Sequence, residues 1–304
     1  MSKGTEFRRL LRENDYIYSA GVTGALDAAI AEKVGLKFVY MSGYSTSLAL
    51  LAKADLGFLS STEMVSHAAQ IAGATTLPVI ADADDGFGNA LTVMRTVDSY
   101  ERAGVAGIHV EDQVAPKRCG HLAGKRVLPL DEAIGKFKAA MAARQDPDFV
   151  IIARTDARDA EGGSFEEAVR RGRAYASLGA DMVWSEFGDP DALGEFEKFA
   201  DEVQRERPGI PMVFNYSSSL KWGRSGNRVS FRQLADMGYK TILVSMGCVH
   251  AAMHAVWDFM ADLKENGEQA QFRQEEALRG HPTEDHHAMG NIALYEKLTR
   301  DYVR

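Results

Sequence analysis

The chain has 304 residues, 45% of them hydrophobic, and carries 43 acidic against 35 basic side chains for a net charge of −8. That length supports one large domain with a substantial core. The charge balance speaks against a basic face for nucleic acid or an anionic membrane, without reaching the composition of a disordered acidic protein. Residues 1–15 are polar and charged, with no apolar signal-peptide core, and no run is long enough to cross a bilayer. The two cysteines, Cys119 and Cys248, make no disulfide framework, so the expectation is a soluble cytoplasmic protein with reduced thiols.

Apolar, β-rich runs recur along the chain at 16–22, 38–42, 78–83, 107–111, 149–155, 182–186, 211–215 and 241–245. They read as continuous hydrophobic strands, the pattern of parallel strands covered on both faces. Amphipathic stretches at 23–34, 61–74, 91–103, 131–143, 164–178 and 191–207 separate them, several stopping at a glycine after an apolar turn, as in Ala103-Gly104, Leu178-Gly179 and Met237-Gly238. Eight strands alternating with helices predict an α/β fold, a (β/α)8 TIM barrel spanning 1–304 as a single domain. Residues 251–304 exceed one closing barrel helix and read as a helical C-terminal extension. Its apolar face needs a cover, and a neighbouring subunit is the expected one.

Polar groups follow seven of the eight predicted strands: Ser42-Gly43-Tyr44, Asp82 to Asn89, Glu111-Asp112, Arg154-Thr155-Asp156, Glu186, Asn215 to Ser219, and Ser245. Such barrels carry their active sites at that end. Asp82 and Asp84 share one side of a straight strand, and with Glu111 they predict a cluster of unpaired acids whose natural partner is a cation. All-oxygen ligands favour Mg2+ or Mn2+. Asp85 reads instead as a helix cap. Gly86 and Gly88 permit close approach of backbone to a ligand, although neither a GxGxxG nor a P-loop pattern is present. Arg154, at the end of an apolar strand, suits bidentate binding of a carboxylate. Asn215, Ser217 and Ser219 alternate and offer neutral donors for a second carboxylate, unless they form only a serine-rich turn. In Lys117-Arg118-Cys119-Gly120-His121 a thiol lies among basic groups, which predicts a lowered thiol pKa and a reactivity above that of Cys248. A solvated loop accounts for Lys-Arg alone, less well for the whole string.

Together these residues resemble the isocitrate lyase/phosphoenolpyruvate mutase superfamily over nearly the whole chain. Lys117–His121 looks like the K-[KR]-C-G-H motif of its lyase branch, Asp82–Asn89 resembles the metal-binding D-x-D-x-G-[FY]-G run, and Asn215–Trp222 is similar to the N-x-S-x-S-F-x-W segment of isocitrate lyases. Ser42-Gly43-Tyr44 is close to their S-G-W. Without the long inserts of those enzymes, the chain looks more like the short haloarchaeal type, and it differs from the lyase pattern at Asp85 and Asn89. The resemblance implies Mg2+-dependent retro-aldol cleavage of isocitrate to glyoxylate and succinate in the glyoxylate bypass. It implies Asp82 as a direct metal ligand, with Asp84, Glu111 and Asp55 acting mainly through water. Cys119 is then the proton donor, with Glu186 and His121 near the reacting centre. Arg154 and the Ser42/Gly43/Tyr44 backbone hold the glyoxylate end; Gly120, His121, Asn215, Ser217, Ser219 and Ser245 serve the rest of the substrate. It also implies C-terminal helices exchanged between subunits, as a homotetramer or at least a dimer. On the same scaffold, 2-methylisocitrate or another 2-hydroxy acid is the rival substrate, and oxaloacetate hydrolysis the rival reaction.

Overall fold

The computed structural model describes residues 2–226 and 228–303. Helix α1 (Lys3–Glu13) leads into β1 (Ile17–Val22), α2 (Ala25–Lys33), β2 (Val39–Met41), α3 (Gly43–Leu51), α4 (Ser61–Gly73), β3 (Val79–Asp82), α5 (Ala90–Arg102) and β4 (Gly107–Glu111). There follow α6 (Leu130–Ala143), β5 (Val150–Thr155), α7 (Phe165–Ser177), β6 (Met182–Ser185), α8 (Leu193–Glu206), β7 (Met212–Asn215), α9 (Phe231–Asp236), β8 (Tyr239–Val244) and α10 (Gly247–Asn266). The strands pair in parallel in chain order, and β8 returns to β1, closing an eight-stranded barrel. This is the (β/α)8 architecture expected, with additional helices α11 (Glu268–Leu278), α12 (His286–Met289) and α13 (Ile292–Tyr302).

The barrel is buried on both faces of its strands. One cluster takes alternate residues, Ile17, Tyr40, Ile80, Val150, Ile152, Met182, Trp184, Val213 and Leu243, together with Phe7 and Leu10 of α1. The other joins the opposite strand faces to the helices through Ile108, Val110, Tyr100, Phe137, Tyr175 and Phe196. That double burial is why the strands read as unbroken apolar runs.

Two elements lie where no helix was expected. Helix α1 comes from the polar first residues: Phe7 and Leu10, three apart, put one face into the core, and the Ser2 side chain caps it by accepting from Thr5 N. Helix α3 starts directly after β2, with Ser42 as its cap. Strand β8 begins at Tyr239, two residues before the expected start, and its register against β7 shifts between Met212 and Val213. Asn89 caps α5, accepting from Leu91 N and Thr92 N; Asp85, expected as a helix cap, bonds Phe87 N in a local turn.

The chain forms two compact units, Met1–Val249 and His250–Arg304. In the second, α10 exposes Val256, Trp257 and Met260, and α13 exposes Leu294, Tyr295 and Leu298. No described helix is long and apolar enough to cross a membrane.

Glycine 21 of β1 brings two site strands together. A Cβ there would lie 1.9 Å from the Ser245 carbonyl oxygen and 3.0 Å from Ser42 Cβ. Backbone cannot yield as a flexible side chain does, so Gly21→Ala should cost roughly 1–3 kcal/mol, the usual range for overpacking. Urea unfolding checks this; an unchanged midpoint would show that β1 and β8 separate freely.

Candidate active site

The mouth of the barrel at the carboxyl ends of its strands holds a small cavity of about 30 Å³. That is room for a couple of waters at roughly 10–15 Å³ each. Lining it are Ser42, Tyr44, Asp55, Asp82, Glu111, Cys119, Gly120, His121, Arg154, Glu186, Asn215, Ser217, Ser219 and Ser245, all anticipated from the sequence, together with Tyr40, Lys117, Arg118 and Met246. Gly43 and Asp84 lie just behind it, each bonded to Asp82: Gly43 N donates to Oδ2 at 3.0 Å, and Asp84 N to Oδ1 at 2.9 Å.

The acids are not the unpaired trio that the spacing suggests. Asp84 is not on the strand; it turns left-handed at φ 49° beyond the end of β3. Lys117 Nζ lies 2.7 Å from Asp55 Oδ1 and 2.5 Å from Asp84 Oδ1. Arg154 Nε is 3.5 Å from Glu111 Oε2, and His109 Nε2 is 3.6 Å from Asp82 Oδ1. Burial disfavours charge on Asp82, but His109, Lys117 and Arg154 outweigh it and hold its carboxyl below the ordinary range. Asp84 is pushed up to about 7, by burial first and then by Asp82 and Asp55 against the pull of Lys117. Burial also drives Glu111 well up, against Arg154.

Among the described residues no three His, Cys, Asp or Glu side chains form a group that could hold a metal unaided. The donor set still fits Mg2+: every candidate is a hard carboxylate oxygen, and Glu111 Oε1 is buried without a hydrogen-bond partner. Mg2+ commonly takes one or two carboxylates and fills its octahedron with water and substrate oxygens.

Glu186 is the second focus. Its Oε1 accepts from Asn215 Nδ2 at 2.9 Å and lies 3.0 Å from His121 Nε2, while Oε2 is 3.5 Å from Arg154 Nη2. Arg154 is buried and stacks over Trp184, 4.6 Å from the ring centroid. Ser217 and Ser219 do not continue a strand edge. They enter a short 3₁₀ turn after β7, where Ser217 Oγ accepts from Ser219 N. The serine-rich turn and the cavity wall are therefore the same segment.

Cys119 overturns the expected lowered pKa. Burial pushes its thiol up from 9.0 to about 12, and Asp55 and Glu186 add to that, outweighing Lys117. The cations that were to stabilise a thiolate are already engaged: Lys117 faces two acids, and Arg118 Nη1 donates to Ala123 O. The result is a thiol that keeps its proton.

Several buried residues near the site carried no assigned role in the sequence reading. His109, two residues before Glu111 and on the same face of β4, bonds the Tyr40 hydroxyl at 3.1 Å and is held down to about 4, chiefly by burial. The period-two pattern of β4 was the available signal. Gln113, Lys125 and Asp156 are buried beside the Cys119 loop; Asp156 was marked only as part of the polar end of β5, and nothing in the spacing of Gln113 and Lys125 marked them.

The family profile described as phosphoenolpyruvate phosphomutase matches residues 7–264. The chain is 41% identical over 303 residues to the isocitrate lyase of Haloferax volcanii, covering 99% of this chain and 87% of that one. It is 38% identical over 264 residues to the 2,3-dimethylmalate lyase of Eubacterium barkeri, covering 87% of each. The solved structure of phosphonopyruvate hydrolase in complex with oxalate and Mg2+ superimposes with a TM-score of 0.84 at 28% identity, covering 100% of both chains.

The thiol chemistry gives a direct check. Cys248 is also pushed up, to about 11, mainly by burial. At pH 8 iodoacetamide should modify native Cys119 no faster than Cys248, and both at least roughly a hundredfold slower than in denaturant, since each pKa unit is tenfold in thiolate. Rapid, selective labelling of Cys119 would mean a hydrated thiol in an open loop.

Proposed function

We propose a function from one premise: the chain belongs to the phosphoenolpyruvate mutase/isocitrate lyase superfamily. It is a carbon–carbon lyase acting on a 2-hydroxy carboxylate, and the substrate that the site supports best is isocitrate, cleaved to glyoxylate and succinate by retro-aldol chemistry. The observation that carries this reading is a proton-holding thiol, Cys119, on a loop packed against Arg154 and Glu186, with neutral donors opposite. The packing is close: a Cβ on Gly120 would lie 2.4 Å from Arg154 Nη2.

The roles follow from that arrangement. Arg154 binds the carboxylate beside the reacting hydroxyl, giving up part of its contact with Glu111 and Glu186 for it. Asn215, Ser217, Ser219, His121 and Ser245 bind the carboxylates of the succinate portion. As the carbon–carbon bond breaks, the hydroxyl proton passes to water in the barrel mouth and the hydroxyl oxygen becomes the aldehyde oxygen; the electron pair stays on the succinate carbon, and the Cys119 thiol delivers the proton that quenches it. Glu186, fixed by Arg154, His121 and Asn215, orients these donors and is the alternative acid. Asp82 foremost, with Asp84, Glu111 and Asp55, would hold Mg2+ (or Mn2+), which when bound would supply the Lewis acidity that acidifies the hydroxyl and polarises the forming aldehyde. A cavity of about 30 Å³ is too small for a tricarboxylate, so the Cys119 loop opens for entry and closes for reaction.

The likeness to a 2,3-dimethylmalate lyase supports a second reading, the same cleavage of a methylated 2-hydroxy acid. 2-Methylisocitrate belongs with it, since one methyl is worth only about 1–3 kcal/mol in discrimination. The apolar side chains exposed on α10 and α13 support assembly as a homotetramer in which C-terminal helices exchange between subunits, and we place the enzyme in the cytoplasm.

With isocitrate and Mg2+, glyoxylate should form; EDTA should abolish its release and Mg2+ or Mn2+ restore it, with Asp82→Ala more damaging than Asp84→Ala. Full activity after exhaustive chelation would sink the metal role. Cys119→Ser, nearly isosteric but a poor acid, should keep folding and substrate binding and lose roughly 10²–10⁴-fold in turnover, the usual worth of a positioned proton donor. Wild-type turnover by that variant would move the proton to Glu186. Light scattering at micromolar concentration should report a tetramer; a monomer contradicts the assembly.

A further inference from the structure

The segment between β4 and α6 carries Cys119, and it is held from beneath by three buried side chains. At its base the two arms pair as a short antiparallel bridge, Gln113 against Val127, with Val114 N donating to Arg126 O at 2.8 Å. Inside the loop the Gln113 amide treats Arg118 as a strand partner: Oε1 accepts from Arg118 N at 2.9 Å, and Nε2 donates to Arg118 O at 2.8 Å. That fixes the peptide immediately before Cys119. On the other side, Lys125 Nζ donates to Gly120 O, the carbonyl immediately after Cys119.

Both clamps end on one carboxylate. Gln113 Nε2 also donates to Asp156 Oδ2 at 3.0 Å, and Lys125 Nζ lies 3.8 Å from Asp156 Oδ1. Arg154 Nη2 donates to that same Oδ1 at 3.0 Å. Asp156 is itself anchored, its backbone N–H donating to Asp112 Oδ1 at 3.0 Å, and Asp112 is held by Arg171 and Tyr175 of α7. All four of Gln113, Lys125, Asp112 and Asp156 are at most 2% exposed. A buried lysine and a buried amide whose contacts go to one loop and to Asp156 are costly to desolvate unless the arrangement is used.

We propose that Asp156, through Gln113 and Lys125, is the positioning centre that sets the Cys119 loop relative to the Arg154 guanidinium, so that seating of the substrate carboxylate and placement of the proton donor are one event. None of the three touches the reacting atoms; each acts through Arg154 or the loop backbone. The role of Arg154 and Cys119 in this statement rests on the lyase reading, whereas the clamp itself does not.

The test separates the two. Amide hydrogen exchange of residues 114–124, followed by mass spectrometry on the full protein, reports the clamp without any substrate. Gln113→Ala, Lys125→Met and Asp156→Asn should each accelerate exchange there at least tenfold while the barrel strands exchange as in wild type. Wild-type exchange in the loop of all three variants overturns the proposal. Should Asp156→Asn fail to fold, the other two decide it, since each removes only one clamp. With isocitrate and Mg2+, kcat should fall roughly 10–100-fold, the scale of an ångström of misplacement, and Lys125→Arg should recover part of it. The double variant Gln113→Ala/Lys125→Met should lose less than the product of the single losses, because both act through Asp156. Faster loop exchange with unchanged kcat, or fully multiplicative losses, also overturns it. A wild-type protein inert towards isocitrate and its methylated analogues defeats the lyase reading and leaves the exchange result to decide the clamp.

Discussion

The constraint on which this site depends is a buried excess of negative charge. Asp55, Asp82, Asp84, Glu111, Asp156 and Glu186 face Lys117, Lys125 and Arg154, and all nine residues are buried. Burying an ion costs several kcal/mol unless a partner repays it. Three cations cannot satisfy six carboxylates, so the balance is met unevenly. Asp156 wins Arg154 and Lys125 and is held down to about 2 in spite of its burial. Burial pushes Asp84 and Glu111 the other way. Carboxylates left short of a partner in this manner are where a divalent cation would gain most.

The same shortage shapes the loop. Lys117 is drawn down to Asp55 and Asp84, and Lys125 to Gly120 O and Asp156, so these two lysines of the loop serve buried groups, while Arg118 stays exposed on the loop backbone. The thiol is left beside acids and loses hydration, and its pKa rises. A thiolate would suit nucleophilic attack; a retained proton suits an acid. The direction of the shift therefore matters more to the chemistry than the presence of the cysteine.

Period two in β4 divides the labour of adjacent acids. Glu111 points into the mouth of the barrel, and Asp112, one residue on, points outward to Arg171 at 3.0 Å and Tyr175 at 2.7 Å. One residue thus serves the site and the next ties the floor of the loop to α7. The polar end of a strand is here two different devices, which a dipeptide read as a pair conceals.

The strands and their order were legible because parallel strands buried on both faces must be apolar throughout. The positions of the polar groups at the strand ends were legible for the same reason, as interruptions of those apolar runs. Helix α1 was missed because only Phe7 and Leu10 mark its buried face among charged neighbours, and α3 because its first residues look like a loop. What only the tertiary structure decided is pairing. Whether Lys117 lowers a thiol pKa or neutralises Asp55, and whether Gln113 binds a ligand or a backbone, depends on distances across segments far apart in the chain. Those distances, with the loss of water around them, determine the charge each group carries, and local spacing along the chain holds no record of either.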